Sequence, residues 1–332
     1  MRIISASDVD RALSYPRLVD VFGEMLRIGA IAPPRHHHTI ALEARPEATL
    51  LLMPAWTSAA PGSLAAGRYG GVKSVTVFPD AARVAMPAVQ GVYLLFDTES
   101  GAPLALIDAP ALTAWRTAAA SALAARFLAR PDARRLLMVG AGTLAAYLVR
   151  AHASVRPIRE VMVWNRSPAR ASALVARLTG EGFAATMVED LAIAARTADI
   201  ISTATISTTP LIDGAWLQPG SHLDLVGGFR PTMRETNDEA VRRARVFVDT
   251  RAGALHEAGD IVQPMQSGVL RSDQICGELA ELVRGTVIGR SSDAEITLFK
   301  SVGAAIEDLA AAIEVFEQPH GRSGSHPAGT NP

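Results

Sequence analysis

The chain predicts an α/β protein, a doubly wound parallel sheet preceded by an α+β region. Three observations predict it. The apolar run 136–139 passes without a break into Gly140-Ala141-Gly142-Thr143-Leu144-Ala145, as a buried strand does when it turns sharply into a helix. A second such run, 160–164, follows at the spacing of a βαβ unit. From there to residue 248, short apolar runs alternate with helical patterns, as strands covered on both faces do.

The elements follow in order. Ser7 before Asp8, Val9 and Leu13 predicts a capped first helix. A second helix runs over 15–28 after Pro16, and Pro33-Pro34 closes it off. Strand-like runs come next at 37–42, 49–53, 71–78 and 91–97. The turn Thr98-Glu99-Ser100-Gly101 joins the last of these to 104–108 as a hairpin. An alanine-rich helix is predicted over 113–129. Parallel strands are predicted at 136–139, 161–164, 200–203, 223–226 and 246–248, with helices at 143–154, 168–179 and 238–245. Val302, Ile306, Leu309 and Ile313 predict a late helix over 296–315. Residues 318–332, rich in Gly, Pro, Ser and His, read as a disordered tail.

Composition bounds the function. At 332 residues, 49% hydrophobic and 20% charged, the chain suits two compact domains rather than a disordered protein. A net charge of -1 with no basic block gives nucleic acid or an anionic membrane nothing to attract. Cys276 is the only cysteine, so no intrachain disulfide forms and a reducing cytoplasm fits. Residues 1–10 lack a signal-peptide pattern, and 118–129 is too short and polar to span a bilayer. A cytoplasmic location is therefore expected.

The glycine loop predicts a dinucleotide site. Gly140 allows the tight turn, Gly142 lets a pyrophosphate approach the backbone, and Ala145 lets the helix pack closely. The first helical amides, from Thr143 and Leu144, would face the phosphates. The second strand ends in Asn165-Arg166-Ser167, where an NAD enzyme would hold an acidic residue. With no carboxylate to repel a 2′-phosphate and a guanidinium to receive one, NADPH is expected, with NADH as the alternative.

Several stretches together resemble the ornithine cyclodeaminase/μ-crystallin family: Pro33-Pro34-Arg35, Leu52-Met53-Pro54, Gly71-Val72-Lys73, Leu112 to Ala119 with its Arg116-Thr117, the GAGTLA loop, and Phe299-Lys300-Ser301-Val302-Gly303. The resemblance implies a Rossmann domain over 116–303, inserted into a substrate-binding and dimerising domain of residues 1–115 and 304–317. It implies a substrate carboxylate held among Arg35, Lys73 and Arg116. It also implies a nicotinamide near Thr117, Val226 and Ser301, with Ala204 and Thr205 beside the fourth strand. Two guanidiniums and an ammonium suit a small carboxylate on physical grounds too. Arg116 is expected at a helix N-terminus. Lys73 lies in an otherwise uncharged strand pattern, where a lysine needs a reason.

Departures from the family pattern set the branch. Cyclodeaminases carry a glutamate where Leu51 stands and an aspartate where Phe229 stands. Without those acids, ring closure lacks its grip and its base, and an apolar Leu51 with an aromatic Phe229 suits a small carbon ring. The chain is similar to the 1-pyrroline-2-carboxylate reductase branch. The expected reaction reduces that ring, or 1-piperideine-2-carboxylate, to proline or pipecolate. Lys73, its pKa lowered by Arg35 and Arg116, is the expected proton donor. The alternatives on the same scaffold are ornithine cyclodeaminase, alanine dehydrogenase, hydroxyproline dehydratase, or a crystallin-like NADPH-binding protein without turnover. A homodimer is expected by resemblance.

Other residues read as structural. His36 and His38 share a strand face but lack the spacing of a zinc site, so no metal is expected. Asp199, Asp224, Asp249 and Asp260 are expected to cap or pair. Cys276, before a helix pattern over 277–283, has no neighbouring cation to activate it. Glu307-Asp308 reads as a solvated helix face.

Overall fold

Strands of alternating burial, then strands buried on both faces, build two sheets in succession. The computed structural model describes residues 1–57 and 68–318. The expected tail beyond Gln318 lies outside the described residues.

The first sheet has seven strands and is mostly antiparallel. Its order is Arg2–Ile4, Pro103–Asp108, Val89–Asp97, Tyr69–Val77, Ala48–Thr57 and Ala30–Ile31, with His36–Ile40 also paired to Ala48–Thr57. Register sets Met53, Lys73, Tyr93 and Ile107 side by side on one face. Helices Ala109–Leu128 and Ala305–Glu317 pack against this sheet, and all four of those residues are buried. The opposite face carries Leu50, Leu52, Val72, Leu94, Phe96 and Leu106, and these are only half-buried. A sheet face turned to water is normally polar; this one is apolar.

The second sheet has eight strands, all parallel. Its order is Ala184–Met187, Glu160–Trp164, Arg135–Val139, Ile200–Thr203, His222–Leu225, Thr297–Lys300, Arg245–Val248 and Ile275–Glu278. The order reverses beside Arg135–Val139. The crevice at the carboxyl ends of these strands is where open α/β sheets bind ligands.

The structure corrects several expected boundaries. The first helix, Ala6–Ala12, is capped by Ser5, not Ser7. Ser5 N–H donates to Asp8 Oδ2 at 2.9 Å, and the Ser5 hydroxyl accepts from Asp8 N–H. The alanine-rich helix begins at Ala109, four residues before the expected start. Asp108 caps it by accepting from Ala111 N–H at 2.8 Å, and Pro110 sits in its first turn. Arg116 and Thr117 therefore lie two turns inside the helix and receive nothing from its dipole. Residue 115, the expected edge of the first domain, falls within this helix, which packs on strands of both sheets. The late helix divides into the buried strand Thr297–Lys300, a turn at Ser301–Ala304, and helix Ala305–Glu317. Gly303, at φ +84°, breaks the run. Strands Ala184–Met187 and Ile275–Glu278 add to the expected set, and Cys276 lies in the second of them.

Candidate active site

Three elements bring the cations of the first sheet together. Lys73 projects from the middle of Tyr69–Val77, and Arg116 from helix Ala109–Leu128; they are 4% and 6% exposed. Arg35 comes from the segment before His36–Ile40 and donates through Nη2 to the carbonyls of Val302 (3.3 Å) and Gly303. Gly303 is also where Arg116 passes: a Cβ there would lie 2.2 Å from Arg116 Nη1. The turn Ser301–Ala304 thus has a guanidinium on either side. Asp249, at the end of Arg245–Val248, fixes the turn by accepting from the N–H groups of Val302 (2.7 Å) and Gly303 (2.6 Å).

Each cation has an anionic partner. Lys73 Nζ lies 2.9 Å from Asp308 Oδ1 and 2.8 Å from Oδ2. Arg116 reaches Glu307 at 2.8 Å through Nη1 and Asp308 at 3.0 Å through Nε. Arg35 Nε meets Glu257 at 3.2 Å. Glu307 and Asp308 are therefore no solvated face: both are buried, at 3% and 0% exposure. The sequence carried a signal for this, because Asp308 shares the helix face of Ala305 and Ala312, and a buried Lys73 calls for a carboxylate. Burial lowers the Lys73 pKa to about 8; Asp308 opposes the fall, and Arg116 and Arg35 add to it. Burial raises Glu307 to about 7 against the pull of Arg116.

Leu51 lies on the Lys73 face, paired with His37 and Val75, and is half-buried. Phe229 stands 44% exposed in the loop after His222–Leu225, with the Arg230 guanidinium 6.0 Å from its ring. His36 and His38 share a face and pack edge to face at 6.2 Å. Among the described residues no cluster of His, Cys, Asp and Glu is arranged to hold a metal. The four aspartates cap or pair: Asp199 meets Arg130, and Asp224 accepts from the Ser202 hydroxyl and contacts His152.

The second sheet supplies a cradle that fits a dinucleotide. Gly140 has φ +106°, and a Cβ there would press on the Ala204 carbonyl at 2.7 Å. Gly142 precedes helix Thr143–Val155 with open space where a Cβ would project and no side chain capping the helix. The amides of Thr143 and Leu144 are left for an anion. Asn165 Oδ1 accepts from Ala141 N–H at 3.1 Å and so ties the second strand's end to the glycine loop. Arg166 is exposed, without an ion-pair partner among the described residues, and lines a pocket with Trp164, Asn165 and Glu189. Ser167 starts helix Pro168–Gly180. Thr117, Val226 and Ser301 are buried; Val226 N–H donates to Thr203 and Ser301 N–H to Leu225. Ala204 and Thr205 follow Ile200–Thr203 at the crevice.

One group of residues went unanticipated. Lys300, Asp260 and Glu235 form a buried cluster beneath Thr205 and Gly227. Lys300 ends an apolar strand, the pattern that singles out Lys73.

This is an α/β enzyme scaffold in which a crevice that fits a dinucleotide adjoins a buried cluster of paired cations and carboxylates. The profile of the ornithine cyclodeaminase/mu-crystallin family matches residues 25–323, and the chain belongs to that family. A Δ1-pyrroline-2-carboxylate reductase of Paracoccus denitrificans is 40% identical over 93% of this chain and 94% of its own. The structure of Thermococcus litoralis Δ1-pyrroline-2-carboxylate reductase in complex with NADH and L-proline superposes with a TM-score of 0.86 at 34% identity, covering 96% and 97% of the two chains. An archaeal alanine dehydrogenase dimer with bound NAD also superposes at 0.86, with 29% identity and 96% and 95% coverage.

Proposed function

We propose that the chain is an oxidoreductase acting on C=N, which reduces 1-pyrroline-2-carboxylate or 1-piperideine-2-carboxylate to proline or pipecolate with NADPH. The observation that carries this reading is Lys73, buried on the Asp308 carboxylate that it shares with Arg116, at a turn that Arg35 also holds. Arg35 and Arg116 hold the substrate carboxylate and so fix ring face and distance. Lys73 protonates the imine nitrogen, leaving C2 electron-poor, and a pKa near ambient pH suits an acid. The nicotinamide, when bound, supplies hydride. Gly140, Gly142, Thr143 and Leu144 would hold its pyrophosphate, Asn165, Arg166 and Ser167 its adenosine end, and Thr117, Ala204, Thr205, Val226 and Ser301 would line the place of its ring. Leu51 and Phe229 supply apolar walls in place of the acids a cyclodeaminase uses.

Exposed Arg166 and a second strand that ends in Asn165-Arg166-Ser167 rather than an acid support NADPH; Glu189 lines the same pocket and the Thermococcus reductase carries NADH, so both cofactors belong in the assay. The substrate domain comprises the first sheet with helix Ala305–Glu317, and the Rossmann domain the second sheet. The half-exposed apolar face of the first sheet packs on a second copy, making a dimer. Following nicotinamide absorbance with cyclic imine and with alanine, ammonia release with ornithine, and cyclic-imine formation with hydroxyproline tests the assignment. Oxidation of NADPH by the cyclic imines is expected, and reaction with ornithine or alanine alone would replace this reading with a cyclodeaminase or a dehydrogenase.

A further inference from the structure

The cluster of Lys300, Asp260 and Glu235 lies apart from the clamp, at the carboxyl ends of Ile200–Thr203, His222–Leu225 and Thr297–Lys300. All three side chains are 0% exposed. Lys300 Nζ donates to the Gly227 carbonyl and stands 3.6 Å from Asp260 Oδ2. Asp260 Oδ1 accepts from the N–H groups of Glu235 (2.8 Å) and Thr236 (3.0 Å). Glu235 Oε2 accepts from the Thr203 hydroxyl at 2.7 Å, and Oε1 from the N–H (2.7 Å) and hydroxyl (2.8 Å) of Thr205. The backbone fits around these groups. A Cβ on Gly227 would come within 2.4 Å of Glu235 Oε1, and one on Gly228 within 2.5 Å of Asp260 Oδ2. The glycine loop is next door, since Gly140 abuts Ala204 and the Thr205 methyl.

Two carboxyl groups face one ammonium here. Lys300 and Asp260 offset each other, so the charge of the cluster is the charge of Glu235. Scaffolding alone does not require that charge: an amide would fill the same space and accept from Thr205, without the cost of burying an anion. The ring of a nicotinamide cofactor is neutral when reduced and cationic when oxidised. A fixed anion in a dry site favours the cationic form.

We propose that Glu235, braced by Lys300 and Asp260, is a fixed anion beneath the nicotinamide subsite that makes the protein bind oxidised cofactor more tightly, relative to reduced, than a neutral wall would. The proposal rests on the nicotinamide lying at these strand ends. Burial raises the Glu235 carboxyl to about 7, with Lys300 pulling it down and Asp260 pushing it up. The preference is therefore switched on as pH rises through neutrality.

The test is the ratio of the Kd of NADP+ to that of NADPH, titrated on the full chain between pH 6 and pH 8.5. The cofactor's 2′-phosphate titrates in both forms and cancels in the ratio. For a charge several ångströms away in a site of intermediate dielectric, the wild-type ratio should fall about tenfold over that range. In Glu235→Gln that fall should shrink to the part contributed by Lys73 and Glu307. Lys73 and Glu307 titrate in the same range, at about 8 and about 7, so an equal fall in wild type and Glu235→Gln would also overturn the proposal. If the amide variant does not fold, Thr203→Val, which removes a hydroxyl that lowers the Glu235 pKa, takes its place and should move the fall to higher pH. Binding of both forms with a pH-independent wild-type ratio would overturn the proposal and leave the dinucleotide reading intact. Binding of neither form at any pH would overturn both.

Discussion

Replacing Asp308 with Asn removes the one anion that holds the Lys73 pKa up. The carboxylate lies 2.8 Å from Nζ and both groups are buried, so its loss falls on a charge that water screens little. Removing an opposite charge at this range shifts a pKa by about 1–3 units. The sign is downward, because Asp308 favours the charged ammonium while burial, Arg116 and Arg35 oppose it. From about 8, a two-unit fall brings Lys73 to about 6, a differential of about 2.7 kcal/mol between its protonation states. At pH 7.5 the protonated fraction then drops from about three-quarters to about 3%, so kcat falls roughly 25-fold if Lys73 is the acid. Activity should recover as pH falls toward 5.5. The assay is the pH profile of kcat at saturating imine for D308N and wild type, with a thermal melt to confirm folding. KM should rise too, since Asp308 also orients Arg116. An alkaline limb at the same pH in both proteins, at whatever absolute rate, would refute the acid role of Lys73.

Three further outcomes are expected. Arg166→Ala should raise the KM for NADPH about tenfold and leave that for NADH within twofold, as loss of one exposed phosphate contact implies; equal effects on both would remove Arg166 from cofactor choice. Gly303→Ala places a methyl 2.2 Å from the Arg116 guanidinium at φ +84°; substrate KM should rise at least tenfold with cofactor Kd unchanged, as for a displaced clamp. His222 is buried, and burial depresses its pKa to about 3. Between that value and the ordinary histidine range the unfolded chain binds the extra proton, so stability rises with pH there by up to about 1.4 kcal/mol per unit. His222→Asn should flatten this acid limb in denaturant titrations, and an unchanged slope would show that His222 does not carry it.

The parallel sheet was legible because strands buried on both faces leave uninterrupted apolar runs, and because Gly140, at φ +106°, marks a turn only glycine makes easily. Thr297–Lys300 was harder. Its four residues are followed by Val302, Ile306 and Leu309 at helical spacing, and periodicity alone does not separate a short buried strand from the helix after it. Arg116, Lys73 and Arg35 could be picked out singly, and a buried Lys73 called for a carboxylate, but the sequence did not show which acids would meet which cation. Glu307 and Asp308 read as surface charge because acidic pairs on helices usually are, and only the tertiary fold shows which helix face meets Lys73. The early start of helix Ala109–Leu128 was written in Asp108 and Pro110, a cap and first-turn pair that the alanine run overshadowed.

In the proposed reaction a small imino acid, gripped by Arg35 and Arg116, takes its proton from Lys73 and hydride from the nicotinamide. The most direct test is turnover of Lys73→Met on 1-pyrroline-2-carboxylate with NADPH, followed at saturating substrate and neutral pH. A loss of kcat of about 10²–10⁴ is expected, the usual worth of a positioned acid, with cofactor Kd unchanged. Near-wild-type kcat with only a raised KM would contradict it and reduce Lys73 to a carboxylate ligand.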